Sequence, residues 1–348
     1  MSVAPRTWWG RGLLVAFGML VPPVVVEGGA ALWEVVAYGA LSVDGRPVGL
    51  YLPPRPGRGP ALRPGARLRG LVHDVRVNEH GFRGPELAAE FPAEGLRVWC
   101  LGGSTTFDIY APDDARTWPA QLGGALAPKL APRAVEVINA GVPGEVALGN
   151  ADALRAKGPA LQPDYVVLYL GPNDLRDIAA TGDGRPPRVG TRPATLRSVR
   201  MFVAWRLSRG DGPAGLPDRR PDARARARMR ERLGQIVDVA SSIGARPVLT
   251  AHALRVAPGA TGESLRLAAA ELPALLDVAP EAVLDWFDAW NDEARALAAA
   301  RGLPYADVRA AVGDASANWG DATHFRAPGS VLAARAVFDA IVADLPAR

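Results

Sequence analysis

The chain has 348 residues, enough for one large α/β domain with an ample core or for two small domains. Its formal charge of +4 rests on 40 basic residues, all arginine except Lys129 and Lys157; they are spread among Asp and Glu, which argues against a nucleic-acid-binding face. The one cysteine, Cys100, lies in an apolar run, and it excludes an internal disulfide framework and any multi-cysteine metal site.

At the N-terminus, Arg6 and Arg11 precede GLLVAFGMLVPPVVV, fifteen residues without a charge. Apolar character resumes after Glu27 as GGAALW and VVAYGAL. Residues 1–41 are therefore expected to form a signal anchor or signal peptide. No small-x-small cleavage site favours removal, so an uncleaved membrane helix is the expectation, kinked at Pro22 and Pro23. The two arginines would hold the N-terminus in the cytoplasm and place the remainder on the extracytoplasmic side. A cleaved segment would leave a secreted protein, and a buried helix of a soluble protein is the alternative.

Residues 42–94 read as a tether and a short β pre-segment. To about Leu71 the chain is rich in Pro, Gly and Arg without periodicity; VHDVRVNEHGFRGPE then offers an alternating strand and a turn.

From residue 95 to 348 short apolar strands alternate with helical segments. The strands are LRVWCL, VEVINA, YVVLYL, ARPVLTA and PYADV. Helical patterns cover TWPAQLGGALA, EVALGNADALRAKG, DARARARMRERLGQIVDVASSIG, WFDAWNDEARALAAARG and PGSVLAARAVFDAIVADL. The alternation predicts a parallel sheet of about five strands covered by helices on both faces, with the carboxyl ends of the strands gathered on one edge. Residues 176–221 break the rhythm as an insertion or lid, holding a helical stretch, ATLRSVRMFVAWRLSR, between two loops. Arg224, Arg228 and Arg232 follow at i, i+4 spacing and read as a solvated stripe.

Four turns carry the chemistry. LGGSTTFD follows the first strand of the alternating region; it lacks the lysine of a phosphate loop, the third glycine of a dinucleotide fingerprint and the final glycine of a GxSxG elbow. What remains is Ser104 in a tight turn, either a helix cap or an exposed hydroxyl. GDATHFRAPGS, before the last helix, holds Asp321 and His324, a spacing that can set a carboxylate against one imidazole nitrogen and leave the other for a serine proton. NAGVPGE brings Asn139 and Gly141 to the end of the second strand, and LGPNDL brings Gly171, Asn173 and Asp174 to the end of the third. A glycine N–H and an asparagine amide are suitable donors to a developing oxyanion, although ordinary turn roles remain open for both. His73 and His80 precede the sheet domain, and His252 ends the fourth strand without an acidic neighbour; all three read as satisfied or exposed. No residue cluster points to a metal or cofactor.

A serine after the first strand, a glycine after the second, GxND after the third and DxxH before the last helix together resemble the SGNH hydrolase superfamily, also called GDSL esterases and lipases. The likeness runs from about Leu96 to the C-terminus, and block one departs from it by reading GGST. NEHGFRGPE and the N-terminal segment are similar to those of bacterial SGNH proteins that face the cell exterior. The resemblance implies a three-layer α/β/α sandwich with a flavodoxin-like sheet. It implies Ser104 as nucleophile, His324 as base and then acid, and Asp321 as its orienting partner. The N–H groups of Ser104 and Gly141 and the side chain of Asn173 would form the oxyanion hole, with Asn139, Gly171 and Asp174 in support. The implied activity is a serine esterase working through an acyl-enzyme without a cofactor. Its expected substrate is a carboxylic, O-acetyl ester of a glycan or cell-envelope polymer, ahead of lipid. Transfer of the acyl group to a sugar hydroxyl, as in a polysaccharide O-acetyltransferase, and a non-catalytic glycan-binding module are the other readings.

Overall fold

The computed structural model describes residues 8–43, 46–53, 59–181, 215–257, 259–262, 265, 272 and 276–346. The helix expected at 194–209 lies outside them.

Helix α1 (Trp8–Tyr38) runs through Pro22 and Pro23 and leaves Phe17, Met19, Val24 and Leu32 exposed. Among the described residues no helix is long and apolar enough to cross a membrane. The carboxyl end of α1 is hydrogen-bonded to the second hairpin region: Leu71 and Val72 donate their N–H groups to the carbonyls of Val36 and Ala37 at 2.8 and 2.9 Å.

The segment read as a tether is packed. Two short antiparallel hairpins, β1 (Ser42–Val43) with β2 (Arg46–Pro47) and β3 (Arg67–Arg69) with β4 (Asp74–Arg76), frame a small apolar cluster. Leu50, Leu62, Leu68, Val75 and Val77 bury themselves in it against Phe107. These apolar residues are too widely spaced to show a period, which is why Pro and Gly dominate the sequence pattern there.

The main sheet is made of β5 (Leu96–Gly102), β6 (Val135–Asn139), β7 (Tyr165–Tyr169), β8 (Arg246–Thr250) and β9 (Tyr305–Ala306). All are parallel, in the order β6-β5-β7-β8-β9. This is the flavodoxin-like order, and it reverses direction at β5, where the first loop of the sheet is exposed at its carboxyl edge.

Side-chain alternation sorts the two faces. Trp99, Leu101, Val166 and Leu168 point into one core with helices α4 (Ala147–Leu161), α6 (Ala223–Ser242) and α7 (Pro280–Arg301). Leu96, Val98, Cys100, Val167 and Tyr169 point into the other with α3 (Trp118–Leu130) and α9 (Ala327–Asp344). Cys100 is fully buried there, and burial pushes its thiol well above the usual range, consistent with a packing role.

Three shorter helices sit at the carboxyl edge: α2 (Ser104–Phe107), α5 (Pro172–Thr181) and α8 (Val308–Val312). The insertion expected from residue 176 therefore begins as a continuation of α5. Helix starts follow local chemistry: Thr117 and Asp222 accept from Ala120 N and Ala225 N, and Pro280 and Pro328 occupy first-turn positions.

Candidate active site

Ser104 opens α2 directly after β5, while the N–H groups of Thr106 and Phe107 already bond back to the Gly103 carbonyl. The two threonines beside the serine hold this short helix in place. Thr106 Oγ1 donates to the carbonyls of Leu101 and Tyr169, and the Thr105 carbonyl accepts from Trp118 Nε1 at 3.1 Å.

Ser104 Oγ lies 2.7 Å from His324 Nε2. On the far side of the ring, Nδ1 is 2.7 and 2.9 Å from the two Asp321 oxygens. A carboxylate there places the ring proton on Nδ1 and leaves Nε2 to accept from the serine. Asp321 also accepts the N–H groups of Thr323 and His324 at 2.9 and 2.8 Å, so the DxxH spacing closes a turn whose side chains meet. Burial raises the Asp321 carboxyl, but the His324 charge and these hydrogen bonds outweigh it and draw the group down to about 2. The Tyr110 ring stands edge-on to the imidazole at 6.0 Å.

Asn173, at the start of α5, donates Nδ2 to the Glu145 carbonyl at 3.0 Å. A Cβ on residue 103 would lie 2.7 Å from that nitrogen, so the second glycine of LGGS lets the amide stand beside the nucleophile turn. Ser104, His324 and Asn173 line one cavity of about 190 Å³, together with Gly171 and Glu145.

Gly141 does not take the position expected of it. Its N–H is directed to Asn139 Oδ1 at 3.1 Å, and a Cβ there would lie 2.1 Å from the Phe107 nitrogen. It serves as the close-packing point between the turn after β6 and α2; neither it nor Gly144 is part of the cavity wall. Gly144, three residues on, turns the chain at φ +88°, and the Glu145 after it reaches the cavity. Nothing in NAGVPGE alone distinguishes the two glycines.

The supporting residues brace these turns. Asn139 accepts from Gly141 and points Nδ2 at the Phe107 carbonyl at 3.4 Å. Gly171 presses on the fully buried His252, whose ring stacks on Tyr169 at 4.7 Å and is pushed down to about 3 by burial, hence neutral. Asp174 is buried and accepts the Ala147 N–H at 3.0 Å, tying α5 to the start of α4. Arg232 pairs with Asp174 at 3.0 Å and is mostly buried, so the arginine stripe is not solvated along its whole length. Neither Asp174 nor Arg232 carries a local sequence signal for this pairing, since it joins elements 58 residues apart.

A larger cavity of about 540 Å³ opens near the ends of β8 and β9. Two of its aspartates are engaged by arginines, Asp288 by Arg309 and Asp307 by Arg295, and among the described residues its wall holds no serine, histidine or cysteine. The Ser104–His324 pair lies on the smaller one. Among the described residues no group of His, Cys, Asp and Glu is arranged to hold a metal ion.

A five-stranded α/β fold with serine, histidine and aspartate in hydrogen-bonded series at its carboxyl edge defines a serine hydrolase. Residues 100–332 match the model of the GDSL-like lipase/acylhydrolase family. The chain belongs to that family and is a serine ester hydrolase.

Among solved structures it is similar to an α/β hydrolase enzyme from the metagenome of Lake Arreo, Spain, at 16% identity and TM-score 0.46, over 73% of this chain and 99% of that one. It is also similar to a GDSL-like lipase from Bacteroides thetaiotaomicron, at 15% identity and TM-score 0.43, over 74% and 93% of the two chains. A lipase/acylhydrolase from Enterococcus faecalis matches at 18% identity and TM-score 0.43, over 73% and 98%. No curated protein sequence matches the chain.

Proposed function

We propose that the protein removes short acyl groups, acetyl above all, from hydroxyls of a glycan or cell-envelope polymer, with Ser104 as nucleophile. The observation that carries this is the cavity of about 190 Å³ around the Ser104–His324 pair. Sites for drug-sized ligands run to about 300–1,000 Å³, so this one has room for a short acyl group and not for a long chain.

In this reading His324 Nε2 takes the Ser104 proton as Oγ bonds to the ester carbonyl carbon. The oxyanion is held by the Ser104 N–H, the Asn173 amide and, in place of Gly141, the Gly144 N–H at the left-handed corner beside Glu145. Collapse breaks the bond to the alcohol oxygen, which leaves with the proton from His324. Water then repeats the sequence, returning free acid and serine. The exposed apolar side chains of α1, with Arg6 and Arg11 in the same N-terminal stretch, support an anchored protein whose hydrolase domain lies on the extracytoplasmic side. A polymer of the envelope is the ester within reach of such a domain.

The test is a series of p-nitrophenyl esters and an acetylated oligosaccharide given to the detergent-solubilised full chain. The reading predicts kcat/KM greatest for acetyl or propionyl, falling steeply beyond about six carbons, with free acetate released from the sugar. Rising activity toward long chains would contradict it, and acetylated acceptor sugar in place of free acetate would make the protein a transferase.

A further inference from the structure

NEHGFRGPE lies outside the catalytic blocks, yet its side chains are closely bonded to the rest of the chain. Asn78 Oδ1 accepts the N–H groups of His80 and Phe82 at 3.0 Å, and its Nδ2 donates to the Pro85 carbonyl at 2.9 Å, folding the stretch around one side chain. Phe82 is buried edge-on against Trp99 of β5 at 5.3 Å. This seats Arg83, whose N–H donates to the Asn139 carbonyl at the end of β6.

The Arg83 side chain is fully buried. Nη1 donates to the carbonyls of Phe107 and Asp108, both at 2.9 Å, Nη2 to that of Ala111 at 3.2 Å, and Nε to Asp114 Oδ1 at 3.0 Å. The guanidinium also lies over the Phe107 ring at 4.7 Å. Burying a guanidinium with one carboxylate partner is a poor source of net stability, because desolvation offsets the attraction. What four directed bonds supply is orientation, and three of them fall on the carbonyls that end α2 and lead away from it.

Helix α2 has four residues, with Ser104 at one end and Phe107 at the other. It is followed by Asp108 in the left-handed region at φ 66°, a conformation that the bond to its carbonyl helps to hold. Four residues rise about 6 Å, so a tilt of roughly 10° at the Arg83 end moves the serine end by about 1 Å. Misplacement on that scale costs about 10²-fold in rate.

We propose that Arg83 is a positioning residue for the nucleophile, holding α2 by its carboxyl end so that Ser104 Oγ and N–H keep their alignment with His324 and Asn173. This rests on the reading of Ser104 as nucleophile.

The experiment compares full-length wild type, Arg83→Lys and Ser104→Ala by kcat and KM on p-nitrophenyl acetate, with kcat expressed per site titrated by a fluorophosphonate and folding checked by near-ultraviolet circular dichroism. Lysine keeps the cation but not the fork. The proposal expects folded Arg83→Lys to lose about 10- to 100-fold in kcat per titrated site, with KM within about twofold and fluorophosphonate labelling slowed in parallel. A purely structural arginine would reduce the number of sites and leave kcat per site and labelling rate unchanged, which overturns the proposal. If Arg83→Lys does not fold, Asp114→Asn loosens the same guanidinium from outside α2 and is read by the same criteria. Activity surviving in Ser104→Ala removes the nucleophile reading itself; an inactive Ser104→Ala beside an Arg83→Lys of wild-type kcat removes only the inference.

Discussion

Ser330 Oγ donates to Asp108 Oδ2 at 2.7 Å, joining the residue that ends α2, the helix opened by Ser104, to the helix that follows His324. The same oxygen accepts the Trp118 N–H at 2.8 Å, so one buried carboxylate gathers three elements of the site. The two ends of the triad are thus held together by more than the triad.

That carboxylate has a pH signature. Burial pushes Asp108 up to about 6, against the opposing pull of Ser330, the Trp118 N–H and the charges of Arg83 and His324. An aspartate in the unfolded chain titrates near about 4. The folded state therefore holds the extra proton between about pH 4 and 6, and this contribution to stability is complete below that window and lost as pH rises through it. Asp174 and Glu145 are raised by burial into the same range, so Asp108→Asn is expected to reduce the fall in urea midpoint between about pH 4 and 6.5 without abolishing it, whereas a slope equal to that of wild type would show that Asp108 does not contribute.

Asn173 tests the oxyanion assignment. Its amide is fixed by the Glu145 carbonyl and stands next to Gly103. Asn173→Ala should lower kcat by about 10²- to 10³-fold with KM little changed, the loss typical of one oxyanion donor. A change confined to KM would mean that the amide binds substrate and transition state alike.

Asp321 tests the orientation of the histidine. Because its carboxyl is drawn down to about 2, its contribution to stability is complete above about pH 4, the value of an unfolded aspartate, and is lost as pH falls from there through about 2. Asp321→Asn removes the carboxylate that selects the Nδ1 proton and is expected to cost on the order of 10⁴-fold in kcat at neutral pH. A loss of less than tenfold in a folded variant would show that Thr323 Oγ1, 3.3 Å from Nδ1, or the turn itself suffices to orient the ring.

Much of this architecture was legible in the chain because its signals are local. The runs around Val98, Val167 and Val248 are buried on both faces, as central parallel strands are, and Asp321 and His324 meet within one turn. What was not legible depends on distance. The stretch from Ser42 to Leu71 looked like a tether because its buried residues, Leu50, Leu62 and Leu68, are scattered among Pro and Gly and become a core only when Phe107 closes over them. The capture of the Gly141 N–H by the Asn139 side chain, and the packing of Gly141 against α2, are likewise tertiary details. Arg83 and Arg232 resembled the other arginines until their partners, Asp114 and Asp174, were brought to them from 31 and 58 residues away.

The central claim is that Ser104 bears the covalent intermediate. Its most direct measurement is the intact mass of the protein after reaction with a fluorophosphonate, followed by mapping of the modified peptide. The account predicts a single adduct on Ser104, absent from Ser104→Ala and strongly slowed in His324→Ala, with ester hydrolysis lost in both. An adduct on another residue, or hydrolysis undiminished in Ser104→Ala, would contradict it.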